Sequence, residues 1–202
     1  MKNPALQEIA PDPGTAGDTA GTELLRLARE SIEYGLVHER VLPVDYAELP
    51  QALAEPAATF TTLRFQGQLR GCCGTLEAVR PLAEDVAYSA FRAAFRDPRF
   101  EPVGKHELEA ITLEVSVLSP LQPIPVSDAA DLLVRLKPGV DGLVIVAAGR
   151  QATFLPKVWE MLPEPQDFLV ALKAKCGLAE NYWSERLEFR RYRTTSYVES
   201  IT

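Results

Sequence analysis

The chain has 202 residues, close to half of them apolar, and a formal net charge of −7 at pH 7. This length is enough for a full hydrophobic core, and the acidic balance argues against binding long nucleic acid, which depends on neutralising phosphates. No apolar stretch approaches the ~20 residues of a membrane-spanning helix, and the first residues carry no secretory signal, so we predict a cytoplasmic protein without membrane association.

The N-terminal third predicts a leader, a helix and a hairpin. Residues 1–21 are rich in Pro, Gly, Ala and Thr without an apolar period, which predicts a disordered leader before a domain at 22–199. Thr22 is expected to cap a helix that continues through Val37. The strand-like run 57–65 then ends in a Gln66-Gly67 turn, and a short return strand, 68–70, leads into a Gly-Cys-Cys-Gly loop.

The rest of the chain alternates between helical and strand-like segments. Pro81 is expected to open a helix that ends near Asp97, because Pro98 disfavours helical geometry in the residue before it. Alternation over 111–117 predicts a half-buried strand, and Ser127 is expected to cap a short helix through Leu136.

A hairpin across Gly149-Arg150, a helix that stops at Gly177 and an extended stretch over 187–198 complete the predicted elements. The mixed order of hairpins and separate helices predicts an α+β fold with a largely antiparallel sheet flanked by helices.

The segment Leu69–Thr75 is the strongest candidate for chemistry. It places Cys72 and Cys73 between Gly71 and Gly74, directly after Arg70. Glycine permits a positive φ or a close approach of the backbone to a ligand or strand, and a nearby cation favours the reactive thiolate. Cys72 is therefore a candidate nucleophile with Arg70 lowering its pKa, and the backbone amides could bind an anion. The alternative is that Cys72 is a small buried residue, since free cysteine is often buried. In an extended backbone Cys73 would point to the opposite side.

A second candidate cluster lies at the exit of the predicted helix. Asp97 and Arg99 could form an acid–base or anion-binding pair, or simply a local turn in which Asp97 bonds its own backbone. The binding candidates are thus Arg70, Gly71, Gly74, Thr75, Asp97 and Arg99, and the catalytic candidates are Cys72, Arg70 and Asp97. The cysteines and the two histidines do not have the spacing of a structural zinc site, so no metal is predicted.

Several of these segments resemble the AMMECR family, named for the Alport syndrome, mental retardation, midface hypoplasia and elliptocytosis chromosomal region. The resemblance spans roughly residues 22–198 and rests on motifs in a fixed order: Thr61-Thr62-Leu63, Leu69-Arg70-Gly71-Cys72-x-Gly74-Thr75, Ala93-Ala94-x-x-Asp97-Pro98-Arg99-Phe100, Glu114–Leu118, Gly142–Ile145, Thr153-Phe154-Leu155-Pro156-x-Val158 and Phe168-Leu169-x-x-Leu172. The chain departs from the family pattern at Cys73, where isoleucine is usual, and at Cys176, where alanine is usual.

The resemblance implies a two-lobed fold with a cleft between a larger and a smaller subdomain, and places the Arg-Gly-Cys motif at a cleft or interface. It also implies association with a Memo-like protein and a radical-SAM protein in a modification pathway. It supplies no reaction and no cofactor, and leaves open whether the protein is an enzyme. Our leading hypothesis is a component of such a pathway with Cys72 and Arg70 at the working site. The competing hypothesis is a non-catalytic binding or scaffold protein. A weaker one is RNA binding through the arginines of 186–193, with an unidentified small molecule as the other possible ligand.

Overall fold

The computed structural model describes residues 19–47 and 49–199. The described residues form an α+β fold that divides into two compact units. The first unit comprises the residues up to Leu118 together with those from Thr195 onward, and the second is Ser119–Thr194. The α+β prediction is confirmed. In the described part of the chain, no helix is long and apolar enough to cross a membrane.

The first unit combines two long helices with a four-stranded sheet. Its strand order is β2-β1-β3-β8, and β1 runs antiparallel to both β2 and β3. The elements are α1 (Thr19–His38), β1 (Ala58–Phe65), β2 (Gln68–Gly74), α2 (Leu82–Phe95), β3 (Ile111–Leu118) and β8 (Thr194–Val198). The strand β2 therefore lies at an edge of this sheet.

The core of the first unit lies between the helices and the sheet. On α1 the apolar residues Leu24, Leu27, Ala28 and Ile32 are buried, and Ile32 has no exposed surface. On α2 the apolar residues that face inward, from Leu82 to Ala94, are buried as well. These residues pack in one cluster with Leu63 of β1 and Val115 of β3. Burial of each large aliphatic side chain contributes about 1.5–3 kcal/mol, so this cluster is the main stabilising element of the unit.

The second unit is a smaller sheet with two helices. Its strand order is β4-β7-β5-β6, with β5 antiparallel to β6 and β7. The elements are β4 (Gln122–Pro123), α3 (Ala129–Arg135), β5 (Gly142–Ala147), β6 (Arg150–Phe154), α4 (Pro165–Lys175) and β7 (Glu188–Tyr192). In its core, the rings of Trp159 and Phe168 stack with centroids 3.8 Å apart.

Several predicted boundaries shift by one to three residues. Helix α1 already begins at Thr19, so Thr22 lies inside it and is not its cap; the rest of the predicted leader lies outside the described residues. Helix α2 begins at Leu82, directly after Pro81. The cap of α3 is Asp128 and not Ser127, because the Asp128 carboxylate accepts the N–H of Asp131.

Two turns show how well local chemistry predicts a hairpin. The turn between β1 and β2 uses Gln66 and Gly67, both at positive φ, as predicted. The turn between β5 and β6 uses Ala148 and Gly149 at positive φ, one residue earlier than predicted. Helix α4 ends as predicted, with Gly177 at φ 72° directly after its C-cap.

Two predictions about strands are wrong. The Gly-Cys-Cys-Gly segment is not a loop, because β2 continues through Gly74 and residues 71–74 all pair with β1. The strand β3 is not half-buried, because Glu114 and Ser116 on its polar face are buried together with the apolar face.

Candidate functional site

The two adjacent cysteines point to opposite faces of the edge strand β2. Cys72 lies opposite Thr62 of β1, and Cys73 lies opposite the buried Thr61. Cys73 packs against the core of the first unit, whereas the Sγ of Cys72 accepts a long 3.5 Å hydrogen bond from the Thr62 hydroxyl. Both thiols are half-buried and reduced. The alternation expected for an extended backbone is thus observed, and it gives the two thiols different surroundings.

Arg70 is the extra residue of a β-bulge. Leu63 pairs with Gly71 and Arg64 pairs with Leu69, so that Arg70 has no partner residue on β1. A bulge redirects a side chain and interrupts the regular ladder. Here it directs Arg70 toward the segment between α2 and β3.

The guanidinium of Arg70 binds that segment through several hydrogen bonds. Its Nε and Nη2 donate to the two carboxylate oxygens of Glu107 at 2.7 and 3.0 Å. Its Nη1 and Nη2 also donate to the carbonyls of Glu101 and Pro102 at 2.8 and 3.4 Å. Glu107 in turn accepts the N–H of Gly104, and its pKa is lowered mainly by the hydrogen bond from Arg70. Arg70 therefore fastens the segment 101–107 to the edge of the sheet.

Asp97 connects the backbone of the cysteine strand to Arg99. Its Oδ2 accepts the N–H of Cys72 at 2.9 Å, which is an outward-facing donor of the edge strand. Its two oxygens also accept Arg99 Nε and Nη2 at 2.9 and 2.6 Å. The hydrogen bonds from Arg99 and from the Cys72 backbone lower the pKa of Asp97 to about 2, although burial opposes this. Asp97 is therefore a carboxylate anion at neutral pH.

The cations that act on the thiols are Arg99 and Arg92. The pKa of Arg99 is raised chiefly by its hydrogen bond to Asp97, and also by attraction to the charged forms of Cys72 and Cys73. Burial raises the pKa of the Cys73 thiol, although Arg92 and the N–H of Gly74 favour the thiolate. The Arg99 side chain is 55% exposed, so its guanidinium reaches solvent next to the strand.

The two glycines of the motif allow close approaches between elements. A Cβ on Gly71 would overlap the carbonyl oxygen of Ala93 in α2, and one on Gly74 would overlap the carbonyl of Thr59 and the Phe60 ring. Neither glycine has a positive φ, so the expected conformational freedom is not used here. Because both glycines lie in a regular strand, the predicted anion-binding loop of amides is not present at this position.

Thr75 belongs to a buried polar network that sequence reasoning missed. Its hydroxyl donates to both oxygens of Asp85, at 3.1 and 3.0 Å. Asp85 is completely buried in the first turn of α2 and also accepts the N–H and the hydroxyl of Thr59, each at 2.8 Å. The signal was available, because Asp85 and Ser89 occupy inward positions of an otherwise apolar helix face.

The remaining sequence candidates, the arginines of 186–193, belong to the second unit. In the second unit, Arg190 pairs with Glu188 at 2.9 Å and Arg191 lies 3.9 Å from Asp141. Across residues 19–47 and 49–199, no group of three His, Cys, Asp or Glu side chains could hold a metal ion.

Comparison with known proteins places the chain in a family. The sequence model of the AMMECR1 family matches residues 25–197. A protein of Methanothermobacter thermautotrophicus is 36% identical over 179 residues, which cover 88% of this chain and 92% of that protein. A protein of Thermofilum pendens is 33% identical over 196 residues, which cover 89% of this chain and 90% of that protein.

A solved structure has the same fold. The crystal structure of the uncharacterised protein PH0010 from Pyrococcus horikoshii matches with a TM-score of 0.83 and 29% identity, covering 89% of this chain and 91% of that one. Because the family match extends over most of the chain and relatives exceed 30% identity, the chain belongs to the AMMECR1 family.

Proposed function

We propose that this protein is a component of a modification pathway, with its working surface at the edge of β2 around Cys72. The observation that carries the proposal is the contact of Asp97 with both the Cys72 backbone and Arg99. It holds a half-buried thiol and a solvent-facing guanidinium in a fixed relation. A guanidinium in this position can bind the oxygen of a polarised carbonyl while the thiolate adds to the carbonyl carbon, so that the negative charge moves onto the bound oxygen.

Arg70 enters this proposal as a positioning residue. Its guanidinium is engaged by Glu107 and two carbonyls, whereas the guanidinium of Arg99 interacts with the charged forms of both thiols. Gly71, Gly74 and Thr75 likewise support the site by packing and hydrogen bonding. The groups that would touch a substrate are then Cys72 and Arg99, with Asp97 orienting both.

The partners of the pathway are part of the same proposal. Support for a Memo-like and a radical-SAM partner comes from the family resemblance. The chain has three cysteines, at positions 72, 73 and 176, and lacks the spaced cysteine triplet that holds an iron–sulfur cluster. Radical chemistry in such a pathway would therefore be performed by a partner.

The experiment is residue-resolved alkylation of the native protein with iodoacetamide across pH, read by mass spectrometry. We expect Cys72 to react faster than Cys73 and Cys176, with a pH midpoint below the free-thiol value of ~8.5. Arg99→Gln should slow Cys72 alkylation at neutral pH by several-fold. The matched control is Arg64→Gln, which removes an arginine that donates to the carbonyl of Gly67. A midpoint at or above the free-thiol value, unchanged by Arg99→Gln, would remove the nucleophile role.

A non-catalytic scaffold is the second candidate function, and a specific observation favours it. Internal contacts involve four residues of the motif, Arg70, Gly71, Gly74 and Thr75. This is expected of a motif that maintains the shape of a surface to which a partner binds. In that case all three thiols react slowly in the native protein, and Cys72→Ser still retains the partners that co-purify with the unmodified chain. If a folded Cys72→Ser variant no longer retained the partners, this would contradict the scaffold function.

A further inference from the structure

The first unit contains a cavity that the proposed function does not use. It has a volume of about 350 Å³ and lies where the last turns of α1 and α2 meet the segment after α2. Its apolar wall is formed by Leu36, Phe91, Phe95 and Val103, and its charged wall by Glu39 and Arg96. Ligand pockets start at ~300 Å³, so this cavity fits a ligand of the size of one amino acid better than a large cofactor.

The apolar wall is formed by a close helix crossing. The rings of Phe91 and Phe95 are one helical turn apart on α2, with centroids 5.1 Å apart and planes tilted by 50°. Gly35 of α1 faces both rings, and a Cβ at this position would press into them. The Arg96 guanidinium lies over the Phe91 ring, 5.9 Å from its centroid, so the charged and apolar parts of the lining meet at this ring.

The side of the cavity formed by Pro102 and Val103 is held in place by Arg70. Arg70 donates to the carbonyls of Glu101 and Pro102, and the N–H of Val103 donates to the carbonyl of Ala94 in α2 at 2.9 Å. The segment is thus fixed to both β2 and α2. The cavity is preformed, which lowers the ordering cost of binding a small molecule.

The two charges at the cavity have no ion-pair partners. Within residues 19–47 and 49–199, Arg96 has no carboxylate and Glu39 has no cation within 4.0 Å. By contrast, the nearby Arg99 and Arg70 are paired with Asp97 and Glu107. Glu39 directly follows α1 as its left-handed cap, with a φ of 56°, and its N–H donates to the carbonyl of Gly35 at 2.9 Å. The end of α1 therefore fixes the position of Glu39 at the cavity.

We propose that this cavity binds an apolar amino acid, with the side chain against Phe91 and Phe95, the carboxylate at Arg96 and the ammonium at Glu39. The opposite signs of the two charged walls favour a zwitterion over a simple apolar acid or amine. This inference is independent of the proposed chemistry at Cys72, because no residue that contacts the ligand is part of that surface.

The test is an NMR titration of the ¹⁵N-labelled full-length chain with three probes of similar size. These are L-phenylalanine, 3-phenylpropionate, which lacks the ammonium, and phenethylamine, which lacks the carboxylate. We expect saturable shifts of the amides of Leu36, Phe95 and Val103 with L-phenylalanine. Each probe with one charge should bind roughly five-fold more weakly, as expected for loss of one exposed ion pair.

Two variants assign the charged contacts. Arg96→Gln should weaken the binding of L-phenylalanine and 3-phenylpropionate without affecting that of phenethylamine. Glu39→Gln should weaken the binding of L-phenylalanine and phenethylamine without affecting that of 3-phenylpropionate. The matched control is Arg92→Gln, one turn earlier on α2, whose guanidinium donates to the Tyr88 hydroxyl. The amide spectrum of each variant also reports whether it is folded.

Three results would overturn the proposal. One is the absence of saturable shifts at roughly 10 mM probe, a concentration at which even a millimolar ligand binds. The second is equal affinity for L-phenylalanine and 3-phenylpropionate, which would exclude a role for Glu39. The third is loss of binding in Arg92→Gln but not in Arg96→Gln, which would move the anion contact out of the cavity.

Discussion

The carboxylate of Asp97 accepts the backbone N–H of Cys72 at 2.9 Å, from a position 25 residues later in the chain. An edge strand exposes every second N–H, and such a donor can recruit another strand. Asp97 occupies this donor and, through Arg99, places a cation beside the same strand. One buried carboxylate thereby protects the sheet edge and organises the charges around the thiols.

We expect Asp97→Asn to destabilise the protein by about 1–2 kcal/mol at neutral pH, since Arg99 is half-exposed and solvent weakens the ion pair. The folded pKa of Asp97 is about 2, below its ordinary 3.8. Its stabilisation is therefore present above about pH 4 and is lost as the pH falls toward 2. Urea unfolding at pH 7 and pH 3 measures this difference, which should be smaller in Asp97→Asn.

The control for that prediction is Asp131→Asn on α3. Asp131 also has a lowered pKa, caused chiefly by its hydrogen bond with Arg135, but the pair is exposed to solvent. Asp131→Asn should therefore lower the free energy of unfolding much less than Asp97→Asn does. An equal effect of the two substitutions would show that burial of Asp97 adds nothing.

Arg70 and Glu107 should be energetically coupled. We expect Arg70→Met and Glu107→Gln each to lower the free energy of unfolding by about 1–3 kcal/mol, because the pair is bidentate and mostly buried. The double variant should cost less than the sum of the two. Hydrogen exchange should also become faster in the segment 101–107.

The same Arg70→Met variant tests whether Arg70 acts on the thiol. Since its guanidinium is engaged by Glu107 and two carbonyls, Cys72 alkylation should change by less than about two-fold at neutral pH. A ten-fold slower reaction in a folded variant would show that Arg70, and not only Arg99, promotes thiolate formation.

Gly71→Ala should destabilise the protein through a backbone clash. The new methyl group would overlap the carbonyl oxygen of Ala93, which is fixed in α2, and we expect a loss of about 1–3 kcal/mol. Gly67→Ala is the comparison, since Gly67 lies in open space at φ 78° and costs only about 1 kcal/mol through its left-handed conformation. Thermal unfolding ranks the two. A neutral Gly71→Ala would mean that α2 and β2 separate easily.

Local patterns predicted the elements well, but not the contacts around the cysteines. Helical patterns located α1 and α2 to within a few residues, and Gln66-Gly67 predicted the hairpin turn. The Gly-Cys-Cys-Gly segment was expected to be a loop because glycine disfavours strands. Its strand pairing with β1, and the packing of Gly71 against α2, are tertiary effects that override that preference.

The partner of Arg70 could not be read from neighbouring residues. Sequence proximity suggested that Arg70 acts on Cys72, whereas a one-residue bulge sends its side chain to Glu107, 37 residues away. The cations whose charge acts on the thiols are Arg92 and Arg99, and the position of Arg99 depends on how the chain leaves α2. Register and long-range ion pairs of this kind are set by the assembled sheet, not by local propensity.

Asp85 should be the most sensitive position of the buried polar network. It is fully buried and accepts hydrogen bonds from four donors, which are the N–H and hydroxyl of Thr59, the hydroxyl of Thr75 and the guanidinium of Arg80. Asp85→Ala would leave these donors unsatisfied and should cost about 3–5 kcal/mol. Thr75→Val removes one donor and should cost about 1 kcal/mol, while Thr75→Ser keeps the hydroxyl and should cost less. Chemical unfolding of the three variants tests this order. If Thr75→Val were as damaging as Asp85→Ala, the Thr75 hydroxyl and not the carboxylate would be the main link between β2 and α2.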